Sequence, residues 1–123
     1  MSYRPIIITS GKGNASTKLA AFDAALWDAG IANYNLIKLS SVMPPKSKLI
    51  VGSPENPQGK RVGDRLYVVL AEKREDKVGK EAWAGIGWVQ AENGHGLFVE
   101  HEWSSEKEVI KLIKDSLGDM VKY

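Results

Sequence analysis

The chain has 123 residues, no cysteine and two histidines, and its 17 Lys and Arg against 15 Asp and Glu leave a formal net charge of +2. With 43% hydrophobic and 26% charged residues it reads as one small folded domain over residues 1–123, which excludes disordered, collagen-like and mucin-like classes. The missing cysteine removes disulfides, iron–sulfur clusters, thiolate zinc sites and thiol nucleophiles. The nearest approach to a basic run is Lys46, Lys48, Lys60 and Arg61, in a Pro/Gly-rich stretch without interleaved aromatics, so no nucleic-acid partner is expected. No apolar run approaches the roughly 20 residues of a membrane span, and the N-terminus has no basic-then-apolar signal pattern, so the expectation is a cytoplasmic protein without a membrane partner.

The elements follow in chain order. Pro5 to Thr9 is a β-branched run bounded by Gly11 and Gly13 and predicts a buried strand. Ser16 to Ala29 places Leu19, Phe22, Leu26 and Ala29 on one helical stripe, with Ser16 or Thr17 as N-cap and Gly30 as the residue that stops the helix. Ile31 to Leu39 reads as a strand, with Asn35, Ile37 and Leu39 on one face, and runs straight into Ser40-Ser41. Residues 44–64 hold four of the five prolines and read as an irregular connection. Leu66 to Leu70 predicts a strand, and Glu72 to Lys77 a solvated charged turn or helix start. Ala82 to Ala91 and Leu97 to Trp103 flank Asn93-Gly94, a hairpin signal. Ser105 followed by Glu108 forms a capping box, and Val109, Leu112, Ile113, Leu117, Met120 and Val121 keep helical spacing beyond it, with Gly118 weakening the last turn. Strand, helix, strand, loop, three strands and helix make an α+β fold, with helices covering a largely antiparallel sheet.

Several stretches invite a chemical reading. Gly11-Lys12-Gly13 near Ser16-Thr17 lacks the spacing of a phosphate loop and reads better as a turn from strand to helix. His95 lies in the Asn-Gly turn and His101 has only Glu100 and Glu102 as neighbouring carboxylates, so no metal site is expected. Trp27, Trp83, Trp88 and Trp103 read as core or interface bulk. The informative stretch is Asn35 to Pro45. It delivers a Ser-Ser pair into Met-Pro-Pro, where Pro44 restricts Met43 to extended backbone. By spacing alone this fits a polar strand end before a stiff turn.

The chain resembles the pyruvoyl-dependent arginine decarboxylases. The residues that carry the likeness are Thr17, Ala21-Phe22-Asp23-Ala24-Ala25-Leu26 and the run Ala29-Gly30-Ile31-Ala32-Asn33-Tyr34-Asn35-Leu36-Ile37-Lys38-Leu39-Ser40-Ser41-Val42-Met43-Pro44-Pro45. It resumes at Gly59 and at Gly96-Leu97-Phe98-Val99-Glu100-His101-Glu102. The resemblance implies an αββα sandwich assembled as a trimer, or a multiple of one, with active sites between subunits. It also implies self-cleavage between Ser40 and Ser41, giving chains of residues 1–40 and 41–123, with Ser41 becoming a covalent pyruvoyl group that serves as the electron sink for decarboxylating L-arginine to agmatine.

Residue by residue, the family pattern puts Asn35 in processing, Glu100 as proton donor and Asp23 on the substrate guanidinium. Read without the family, Glu100 is a strand carboxylate with Glu102 on the same face as a decoy, and Asp23 is an exposed helix residue. Six residues of strand span about 20 Å, so Asn35 reaches Ser41 only if the chain bends or another subunit supplies it. Alternatives within this frame are another basic substrate, lysine or ornithine, and a non-catalytic assembly or regulatory relative. Members of the family continue beyond the terminal helix through a further strand, so the fold is expected to lack a piece.

Overall fold

The computed structural model describes residues 3–52 and 62–122. Over these the chain forms β1 (Arg4–Ile8), α1 (Lys18–Ala29), β2 (Asn35–Lys38), β3 (Val42–Met43), β4 (Ser47–Val51), β5 (Arg65–Val68), β6 (Trp83–Gln90), β7 (Gly96–Trp103) and α2 (Glu106–Met120). This is the α+β class the element pattern implies. The chain divides into two compact units, one from Met1–Ile37 and Lys48–Val68, the other from Lys38–Ser47 and Val69–Tyr123.

In the first unit β1 pairs with β4, and β2 with β5. Thr17 caps α1 by accepting the Ala20 N–H, and Gly30 ends it with a left-handed φ of 85° that a Cβ would disfavour. The Gly11-Lys12-Gly13 segment crosses this helix at backbone contact. A Cβ on Gly11 would stand 2.2 Å from the Ala25 carbonyl oxygen, and one on Gly13 2.3 Å from that of Ala21. Those glycines, with the alanines beneath them, permit the close crossing. Lys12 N–H donates to Asp28 Oδ2 (2.9 Å) and Thr9 Oγ1 to the Ala29 carbonyl (2.8 Å), which fixes the segment at two points.

Three expectations need correction here. The strand read as buried, β1, is exposed or half-buried at every position. The strand expected from Ile31 begins only at Asn35, because Asn33 takes a left-handed φ of 69° and turns the chain. The connection expected to be irregular over 44–64 contains β4, whose pairing with β1 supplies a partner that no local pattern announces. Gly59, Lys60 and Arg61 lie outside the described residues.

The second unit is a three-stranded antiparallel sheet in the order β3-β7-β6. Trp83 pairs with Trp103 and Gln90 with Gly96 across β6 and β7, while Val42 and Met43 pair with Leu97 and Gly96 on the other edge of β7. Ser105 caps α2 by accepting the Glu108 N–H, and Glu106 and Glu108 place negative charge in its first turn, where the helix dipole favours it. The helix lies on one face of the sheet above Gly85 and Gly87. A Cβ on Gly87 would meet Ile113 Cγ2 at 2.3 Å, and one on Gly85 would meet Val109 Cγ1 at 2.8 Å, so the two glycines set how near the helix approaches.

The strongly buried apolar residues of this unit are Met43, Phe98, Val99 and Val109. The segment Glu72–Lys77 forms neither helix nor strand, and Arg74 pairs with Glu72 at 3.2 Å. The tryptophans correct a further expectation, because none of the four belongs to the core. Trp27 and Trp103 keep 47% and 54% exposure, which leaves only the interface half of that expectation standing.

Candidate active site

β7 divides its side chains between two environments by alternation. Val99 and His101 stand opposite Gly87 and Gly85 and so share the face covered by α2, and His101 Nε2 lies 2.6 Å from Ser116 Oγ on that helix. Phe98, Glu100 and Glu102 occupy the other face, opposite Trp88, Ile86 and Ala84. Trp88 and Phe98 meet edge to face at 6.5 Å.

Ser41 sits immediately before β3, so the pairing of β3 with β7 decides what its side chain meets. Its hydroxyl donates to Glu100 Oε2 at 2.8 Å, a half-buried, charge-assisted bond between residues 59 apart in sequence. Its carbonyl accepts the Phe98 N–H at 2.7 Å. One residue is thus held at both its hydroxyl and its carbonyl by neighbouring positions of one strand. A hydroxyl bonded to a carboxylate has a proton acceptor in place, and a carbonyl facing a fixed N–H has a donor for any negative charge it develops.

Glu102, the sequence decoy, shares the face, but the Ser41 hydroxyl donates to Glu100 rather than to it. A shallow cleft of about 420 Å3 is lined by Glu100 and Glu102 together with His101 and Leu112, and Ser41 is not part of its lining.

The other two candidates belong to the first unit. Asn35 opens β2, where its backbone N–H donates to the Asp64 carbonyl and its Nδ2 to the Gly63 carbonyl, both at 2.8 Å. Asp23 is exposed on α1, one turn from the exposed Leu19 and one turn from Trp27. The participant that sequence reasoning missed is the Phe98 N–H. A main-chain donor has no residue signature, and the β3–β7 register that aims it is visible only in the folded chain. Among the described residues no group of three or more His, Cys, Asp or Glu could hold a metal, and no helix is long and apolar enough to cross a membrane.

A serine and a carboxylate brought together on the antiparallel sheet of a small α+β chain are the features that comparison with known proteins can place. The family model for pyruvoyl-dependent arginine decarboxylase matches residues 5–123, and the chain belongs to that family. Curated relatives of that name include one from Thermoplasma volcanium, 35% identical over 107 residues (85% of this chain, 58% of the relative). One from Halobacterium salinarum is 41% identical over 97 residues (77% and 58%), and one from Methanococcus aeolicus is 53% identical over 57 residues (46% and 34%). The matched stretch therefore spans under three-fifths of these relatives' length.

Proposed function

We propose that this chain decarboxylates L-arginine to agmatine and CO₂ on a pyruvoyl group formed from its own Ser41, and that it does so as a trimer or a multiple of one. The observation that carries the reading is the 2.8 Å bond from Ser41 Oγ to Glu100 Oε2.

In the precursor Glu100 accepts the hydroxyl proton as Ser41 Oγ attacks the Ser40 carbonyl carbon. The Ser40–Ser41 C–N bond breaks, an ester forms, and the freed nitrogen takes a proton. Loss of the Ser41 Cα proton with cleavage of the Cβ–O bond then releases the Ser40 carboxylate and leaves a dehydroalanine. Water adds to its imine tautomer and ammonia departs, so the new chain starts with a keto group at position 41. Asn35 is assigned to processing on the family pattern.

The residues present suit that group. Ser41 keeps its carbonyl when its hydroxyl is lost, and the Phe98 N–H at 2.7 Å remains aimed at the oxygen next to the keto carbon. Once formed, the pyruvoyl group supplies an electrophilic carbonyl for the substrate amine and a sink for the electron pair freed with CO₂. Glu100, having passed the serine proton to the freed nitrogen, would take up a proton from water and hold it for delivery to the substrate carbon, and Asp23 is assigned on the family pattern to the guanidinium, through paired charge-assisted bonds.

Intact-mass spectrometry with an agmatine assay tests the proposal. Two fragments split after Ser40, the larger with a pyruvoyl mass at its start, are expected, and Ser41→Ala should give one uncleaved, inactive chain. An uncleaved parent that forms no agmatine would mark it as a non-catalytic relative. Faster CO₂ release from lysine or ornithine than from arginine would reassign the substrate.

A further inference from the structure

Cleavage after Ser40 turns the residue that carries the chemistry into a chain terminus, and termini fray unless they are tied down. The segment that follows has little strand to hold it, since β3 contributes only Val42 and Met43 to the sheet. Beyond it the chain turns through Pro44 and Pro45 to Lys46, whose left-handed φ of 65° is uncommon for a residue with a Cβ and must be held by its surroundings.

Two of the holding contacts come from one side chain. Gln90, the last residue of β6, donates from Nε2 to the Ser47 carbonyl at 2.8 Å and to the Gly94 carbonyl at 3.0 Å. It thereby ties the turn after β3 to the tip of the β6–β7 hairpin. Lys46 N–H donates to the Asn93 carbonyl (2.8 Å), and the buried Ser47 closes the turn from its Oγ to the Pro44 carbonyl (2.6 Å). A Cβ on Gly94 would stand 2.7 Å from both the Lys46 and Ser47 nitrogens, so the two turns touch at backbone distance.

We infer that Gln90 is a positioning residue: its amide clips residues 44–47 to the hairpin tip and so keeps the new terminus at residue 41 beside Glu100 and the Phe98 N–H after cleavage. The inference rests on the proposed function, because only a cut chain needs the clip to hold a free end. The clip depends on N–H donation into two carbonyls. Gln90→Met keeps the length without the donor, Gln90→Glu turns an oxygen toward both carbonyls, and Gln90→Lys restores a donor.

The test measures arginine decarboxylation per cleaved chain in the full protein. The Met and Glu variants should lose about tenfold in kcat, as expected when a reacting group is displaced, with KM within about twofold and with recovery in the Lys variant. Hydrogen exchange, run in parallel on Ser41→Ala chains with and without Gln90→Met, should show faster exchange at the Phe98 and Lys46 amides in the double variant. Parent-like kcat in the Met and Glu variants, or unchanged exchange at both amides, overturns the clip. An uncleaved, inactive parent overturns the function instead, and the exchange contrast then still decides whether Gln90 holds the turn.

Discussion

Glu100 and Glu102 are two carboxylates on one face of β7, and the fold separates them by what each meets. Glu100 receives the Ser41 hydroxyl, whereas Glu102 lies two cross-strand pairs further on, opposite Ala84. General acid–base work contributes about 10²- to 10⁴-fold, so Glu100→Gln should lower agmatine formation by at least about a hundredfold and slow cleavage of the precursor. Glu102→Gln should stay within about threefold of the parent in the same assay. Equal losses in the two variants would remove the special role given to Glu100. Asp23 is argued at the same scale. Hydrogen bonds to a charged group are worth about 1.5–3 kcal/mol, so Asp23→Asn should raise KM for arginine by roughly ten- to a hundredfold, read from initial rates against arginine concentration. Precursor cleavage, followed by mass, should proceed as in the parent, because Asp23 is assigned to substrate binding alone.

At the scale of elements, two glycines of the second unit make opposite demands. Gly87 lies under α2, where an added Cβ would meet Ile113 Cγ2 at 2.3 Å and force the helix outward. Overpacking of this kind costs about 1–3 kcal/mol, so Gly87→Ala should lower the urea midpoint and weaken the α2–sheet contact. Gly118 lies in the last turns of α2 with nothing within 4 Å of an added Cβ. Gly118→Ala should stabilise by about 0.5–1 kcal/mol, because the unfolded chain loses freedom and the helix gains propensity. Thermal melts of both variants check the signs, and two shifts in the same direction would contradict this account of the helix seat. α2 itself is legible in the sequence, since Ser105, Glu108 and the apolar spacing from Val109 specify cap and stripe without outside help. The seat is not legible, because Gly85 and Gly87 look like ordinary weak points in a strand until a helix is seen above them.

Among the described residues many large apolar side chains are exposed and few are strongly buried. Val42, Val51, Trp27 and Trp103 keep 75%, 73%, 47% and 54% of their surface, while the strongly buried apolar set is Ala29, Ala32, Met43, Phe98, Val99 and Val109. Exposed apolar side chains such as Val42 and Trp103 on the second unit would be covered in the assembly proposed above. Sedimentation equilibrium should give a mass three times the 13.5 kDa chain, or a multiple of that. A monomer at micromolar concentration would contradict the trimer.

What the sequence determined by itself is what short-range physics encodes. The caps and stripes of α1 and α2, the Asn93-Gly94 hairpin and the α+β order follow from neighbours within a few residues, and the family likeness follows from the run that includes Ser40-Ser41. The tertiary structure alone decided the rest. β3 is too short to show a period, and β4 lies among prolines and glycines, so both exist only through the strands they pair with. The meeting of Ser41 with Glu100 and the Phe98 N–H depends on the register of β3 against β7, a long-range pairing that no local pattern of residues can specify.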